Sequence, residues 1–281
     1  MRSLNRYLRQ LYAIYKWLVM IPVLGISTFV CGMSVVALVW FVPPAILARL
    51  FARSWARINS WLTPMWVKVE GRYHIDPAQS YVIVCNHQSQ YDIFVLYGWL
   101  DIDFKWVMKQ ELRNIPVIGI ACDKLGHIYV DRSNREAALK SIEAAKSRIT
   151  GGTSVLFFPE GTRSRDGRLR AFKKGAFHFA LDLQLPLLPI TINGTRQILP
   201  SDTLDLFPGR ATMTIHAPIH ADSYGKGNID ALADVVRQRI ASGLDRATPV
   251  EGTAAPRSVR LSLARPCDDH RCTIPTSSRR W

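Results

Sequence analysis

From Trp17 to Ala48 the chain carries no charged residue, and no other feature constrains its fold as strongly. Such a run must leave water, because about 20 consecutive apolar residues already cross a bilayer core. Pro22 and Gly25 interrupt its first part and Pro43-Pro44 closes it, so it does not read as one clean span. Two arrangements satisfy it: a single tilted spanning helix, or a re-entrant pair of helices that dips into one leaflet and returns. Trp17 and Trp40 are spaced to sit at interfaces. The run is longer than the apolar part of a cleaved signal peptide and lacks a small-residue cleavage site.

The net charge of +14 points to an anionic partner, and its distribution says which. Residues 1–57 hold seven basic side chains and no acid, and residues 247–281 hold six arginines against three acids, leaving +4 over residues 58–246. The excess therefore lies in the two ends and predicts contact with anionic lipid, not a nucleic-acid stripe on the folded part. The organisation that follows is a basic-flanked membrane segment over 1–57, a folded domain over 58–246 and a tail without packed structure over 247–281. Five cysteines make no disulfide framework in a chain of this size, which predicts the cytoplasmic face of the inner (plasma) membrane. Cys267, His270 and Cys272 lack a fourth protein ligand nearby, and no metal site is expected.

Within 58–246, short β-rich runs alternate with helical ones. Strands are predicted at 66–70, 81–85, 104–108, 127–130, 154–158, 187–193 and 211–217, and helices at 91–100, 134–149, 173–183 and 229–243. This pattern predicts an α/β domain with a largely parallel sheet flanked by helices. In such sheets sites collect where strand ends meet helix starts. Two clusters fall there. The run Tyr81-Val82-Ile83-Val84-Cys85 feeds Asn86-His87, with Asp92 at the start of the next helix. A neutral imidazole titrates near pH ~6.5 and takes a proton from a hydroxyl, while a carboxylate on its other nitrogen fixes the tautomer and stabilises the imidazolium. On one regular helix the two residues would point about 140° apart, so the pairing needs His87 outside the helix. The second cluster, Phe157 to Arg165, follows another apolar run and supplies a glycine, hydroxyls and arginines suited to an anion.

These clusters resemble the motifs of the glycerolipid acyltransferases. Asn86 with His87-x4-Asp92 resembles the first, Gly126-His127-Ile128-Tyr129-Val130-Asp131-Arg132 the second, Phe158-Pro159-Glu160-Gly161-Thr162-Arg163-Ser164 the third and Leu185-Pro186-Leu187-Leu188-Pro189-Ile190 the fourth. Within that family the chain is most similar to the bacterial-type 1-acylglycerol-3-phosphate acyltransferases. The resemblance implies acyl transfer from an acyl-CoA or acyl carrier protein thioester, with no cofactor, to the free hydroxyl of lysophosphatidic acid in the membrane, giving phosphatidic acid. His87 would be the general base and Asp92 its orienting partner. Glu160, Gly161, Thr162 and Arg163 would belong to the acceptor site, with Arg163 clamping phosphate and Arg132 the next cation. Lys105, Lys173 and Lys174 stand behind them. Other lysophospholipids or amino-acid lipids remain open as acceptors. Two other readings also stay open: a metal-dependent phospholipid hydrolase, and a non-catalytic lipid-binding protein. The first needs further ligands around one site, and the seven histidines are scattered.

Overall fold

The computed structural model describes residues 10–149 and 151–245. The expectations for the tail over 247–281 and for Arg2, Arg6 and Arg9 lie outside the described residues. Seven strands form one sheet in the order β1-β7-β6-β2-β5-β3-β4, with β1 Met65–Glu70, β2 Val82–Cys85, β3 Phe104–Lys109, β4 Ile128–Val130, β5 Ser154–Phe157, β6 Leu187–Asn193 and β7 Gly209–Ile215. Strands β6, β2, β5, β3 and β4 run parallel, and β7 pairs antiparallel with β6 and parallel with β1. Every residue of β2, β5 and β6 is buried, as expected for strands covered on both faces, whereas β1 alternates as an edge strand does.

Alternate side chains of the central strands enter two different cores. Ile83, Cys85, Leu156, Leu188 and Ile190 pack with the helix Tyr91–Trp99. Val82, Val84, Val155 and Leu187 pack with the helices Gly175–Leu183 and Ile229–Ser242 through Phe177, Phe179, Leu232 and Val236. The remaining predicted helix is seen as Arg135–Ala145, capped by the Asn134 side chain accepting from Ala137 N–H at 3.1 Å. The helix Ile118–Lys124 was not expected, because Pro116, Gly119 and a run of β-branched residues hide its period.

The apolar N-terminal run forms one helix, Gln10–Leu38, so the expected break at Pro22 does not occur. Residues Lys16–Met20 widen to a π-helical turn ahead of the proline, which relieves the clash its ring would cause. The chain then turns at Pro43, with Pro44 in the first helical position, and returns as helix through residues 44–62. The two helices are clasped by polar bonds, Trp55 Nε1 to Thr28 Oγ1 at 2.9 Å and Asn59 Nδ2 to Ser27 Oγ at 3.0 Å. Residue 57 falls inside the helix Arg53–Leu62, and Met20 and Ala56 belong to the same core as Phe94 and Leu96. The face turned away from the domain exposes Leu18, Ile26, Phe29, Val30 and Met33, and at the hairpin tip Trp40 and Phe41 are 75% and 84% exposed.

Candidate active site

Asn86 sets the corner where β2 ends. Its side-chain amide donates to Ile192 O at 2.9 Å and accepts from Ile192 N–H at 2.8 Å, extending the β2–β6 pairing by one step. The main chain of His87 is then free to turn, and it is gripped from both sides. Its N–H donates to Glu160 Oε1 at 2.8 Å, and its carbonyl accepts from Ser164 N–H at 2.8 Å. The two clusters read from sequence therefore meet at His87 itself.

Asp92, in the first turn of Tyr91–Trp99, is 0% exposed. Its Oδ2 lies 2.7 Å from His87 Nδ1 and also accepts the N–H groups of Gln88 at 2.7 Å and Ser89 at 2.9 Å. Oδ1 accepts from Thr195 Oγ1 at 2.5 Å. Four donors thus fix this carboxylate, and it fixes the imidazole with Nε2 directed away from it. No described residue hydrogen-bonds that Nε2. Phe158 stacks on the His87 ring at 3.9 Å between centroids and 10° between planes, which locks the remaining freedom of the imidazole.

The third-motif residues take different places. Glu160 is 5% exposed, and its second oxygen accepts Arg170 N–H at 3.0 Å, so both oxygens are taken by main-chain donors. Burial raises its pKa, and the N–H groups of Arg170 and His87 oppose that shift. Gly161 has φ +72°, and a Cβ there would lie 2.7 Å from Lys173 Cε. Its carbonyl accepts from Arg132 Nη1 at 2.5 Å, which draws the end of β4 to this loop. Thr162 is exposed, and Arg163 is partly buried beside it. Arg163 Nη2 and Arg165 Nε reach Asp202 at 3.4 and 2.8 Å, so one carboxylate faces two guanidiniums.

The three lysine candidates and the second-motif histidine take different places. Lys105 pairs with Asp103 at 3.1 Å near the start of β3, at the opposite end of the sheet from His87. Lys174 pairs with Asp230, and Lys173 packs its stem over Gly161. His127 of the second motif is a core residue: Nε2 meets Tyr97 Oη at 2.6 Å, and Nδ1 accepts Trp106 N–H at 3.2 Å. Burial pushes its pKa down to about 3, with Lys105 adding to the effect. Among the described residues no group of three or more His, Cys, Asp or Glu is arranged to hold a metal ion.

Thr195 was missed by the sequence reading. It follows Gly194, whose φ of +87° lets the chain leave β6 where a Cβ would lie 2.0 Å from Arg210 O. A glycine then a hydroxyl at the end of a buried strand was the available signal, the same one that marked the third motif.

A histidine backed by a buried carboxylate, at the carboxyl ends of parallel strands and beside arginines, is an arrangement suited to general-base chemistry on an α/β scaffold. Residues 66–193 match the family model described as Acyltransferase. A protein of Limnanthes douglasii named 1-acyl-sn-glycerol-3-phosphate acyltransferase is 32% identical over 222 residues, 78% of either chain. One of the same name from Chlamydomonas reinhardtii is 37% identical over 180 residues, 63% of this chain and 53% of that protein. The chain thus spans about half the length of the algal relative, and 54% of a similarly named chloroplast protein of Arabidopsis thaliana. The crystal structure of the 1-acyl-sn-glycerophosphate acyltransferase of Thermotoga maritima superposes with a TM-score of 0.65 at 26% identity, covering 86% of this chain and 97% of that one. The chain belongs to the acyltransferase family.

Proposed function

We propose that this protein transfers a fatty acyl group from a thioester, of coenzyme A or acyl carrier protein, to the free hydroxyl of lysophosphatidic acid, giving phosphatidic acid. The observation that carries this reading is the His87–Asp92 pair, with Nδ1 bound to a buried carboxylate and Nε2 left for a substrate. His87 Nε2 takes the hydroxyl proton as the acceptor oxygen bonds to the thioester carbonyl carbon. The tetrahedral adduct then expels the thiolate, which recovers the proton from the imidazolium. The acceptor supplies the nucleophile, so none is needed from the protein.

In this reading Arg163 meets the acceptor phosphate, with Arg132 at the Gly161 carbonyl the next cation, and a substrate phosphate would displace the long 3.4 Å contact of Arg163 to Asp202. Thr162 stands exposed at the same loop, while Glu160 and Gly161 shape the loop itself. The names of the relatives in Limnanthes and Chlamydomonas support this acceptor.

The helical hairpin favours the re-entrant reading over the span. Tyr15 Oη donates to Leu62 O at 3.0 Å near one end of the long helix, and Val35 packs with Leu47 and Ala121 near the other. A helix held to the same polar domain at both ends lies along one leaflet, with its outer apolar face in lipid. The free thiols of Cys31, Cys85 and Cys122 support a reducing, cytoplasmic side. The test is a panel of radiolabelled lysolipids with each donor type and the purified full chain. Phosphatidic acid as the dominant product supports the reading. Preference for lysophosphatidylcholine or an amino-acid lipid would reassign the acceptor.

A further inference from the structure

A second feature lies at the other end of the sheet. A cavity of about 160 Å³, room for roughly five waters at ~30 Å³ each, opens between the returning helix and the start of β3. Its walls include Ile46, Leu100 and Phe104, with Arg49 and Arg53 as its cationic members and Asp103 as its one acid. Phe104 is the first residue of β3, which pairs in parallel with β5 and through it with β2, so the cavity is remote from His87 beyond the opposite strand ends.

The charges around it do not balance. Arg53 Nη2 pairs with Asp101 Oδ1 at 2.9 Å, and Arg72 takes the other oxygen of the same carboxylate. Arg57 donates Nε to Gly98 O at 2.9 Å and has no carboxylate. Arg49 is exposed and has no carboxylate partner among the described residues. Two guanidiniums therefore share Asp101, the second acid here, Asp103, is taken by Lys105 at 3.1 Å, and Arg49 and Arg57 are left without a carboxylate. Within this cluster Arg53 Nε is buried with no hydrogen-bond partner among the described residues. A buried donor of that kind calls for a further acceptor. Burial holds the Arg53 pKa below its ordinary value; Asp101 opposes this, and Arg57, Arg49 and Arg72 add to the depression.

The surroundings specify more than a bare anion. Ile46 and Leu50 are exposed one helical turn apart, on the same helix and next to Arg49 and Arg53. Trp40 and Phe41, at the hairpin tip a few residues before them in the chain, are exposed as well. We infer that this cavity binds the phosphate of an anionic phospholipid, with Arg49 and Arg53 on the phosphate oxygens and the apolar wall against the glycerol and upper acyl chains. Such a site would pin the hairpin to the leaflet at a point separate from the reaction.

Hydrogen exchange of the full chain in neutral detergent tests this, because it reports location. The probes are dihexanoyl phosphatidylglycerol, dihexanoyl phosphatidylcholine and inorganic phosphate. Phosphatidylglycerol is expected to slow exchange over residues 45–57 and 97–104, with phosphatidylcholine weaker. Arg49→Ala should weaken that protection about fivefold, the scale of one basic residue at an anionic surface. Arg49 is exposed, so this variant keeps the fold even where Arg53→Gln does not. Protection by phosphatidylglycerol alone supports a lipid site, and protection by phosphate as well supports the same oxyanion site with less contribution from the chains. Protection by neither, or protection unchanged in Arg49→Ala, overturns the inference.

Discussion

Thr195→Val removes one hydroxyl from the reaction centre without touching a substrate. Valine keeps the shape but cannot donate to Asp92 Oδ1, now held at 2.5 Å. Asp92 is 0% exposed and so gains no water in exchange. A hydrogen bond to a charged group contributes about 1.5–3 kcal/mol. If that loss falls on the state in which His87 is cationic, kcat drops about 10- to 100-fold, at 1.36 kcal/mol per tenfold. KM for both substrates should hold, because Thr195 positions the carboxylate and contacts neither. The assay is steady-state acyl transfer for wild type, Thr195→Val and Thr195→Ser, each first shown to melt cooperatively. Serine keeps the donor and should recover most of the rate. A valine variant within twofold of wild type would refute the reasoning, as would a serine variant equally impaired, since packing and not the hydrogen bond would then be at work.

Three further outcomes follow from the same geometry. Asp92→Asn keeps the size but removes the charge behind Nδ1 and turns an amide towards main-chain donors, so kcat should fall by ~10²-fold or more with little change in KM; a change in melting temperature alone would reduce Asp92 to a helix cap. Arg163→Lys keeps charge but loses the planar fork, and KM for the lysolipid should rise while KM for the thioester holds; the reverse pattern would place Arg163 on the donor. His127 titrates near 3 when folded and near ~6.5 unfolded, so the unfolded chain binds the extra proton between those values and stability falls as pH drops below ~6.5. By pH 5 this costs roughly 2 kcal/mol, at 1.36 kcal/mol per pH unit. His127→Gln should lose that part of the pH dependence, and parallel stability curves for the two proteins would contradict it.

Much of this site could be read in the sequence, because its residues stand where strand patterns stop. His87 follows β2 and Glu160 follows β5, and those two strands are neighbours in the sheet, so their loops had to meet. Sequence did not reveal the direction of each side chain. Glu160, which the resemblance assigns to the acceptor site, is buried with its carboxylate on the main-chain N–H groups of His87 and Arg170. His127 lies in a recognised motif and is a core residue. Thr195 is over a hundred positions from Asp92, and only the β2–β6 pairing brings it near. The N-terminal run showed that a segment leaves water but not its path. That path is fixed by contacts of Tyr15, Thr28 and Val35 with residues far along the chain.

The central claim is that the chain is an acyltransferase in which His87 is the base. Its most direct test is phosphatidic acid formation from lysophosphatidic acid and an acyl thioester by the purified full-length protein and by His87→Ala. His87 is hydrogen-bonded to the loops mainly through its main chain, so the variant should melt like wild type and still partition with membranes. The account predicts product from wild type and a ~10²–10⁴-fold lower rate from the variant. A well-folded His87→Ala protein that makes phosphatidic acid within tenfold of the wild-type rate would contradict it.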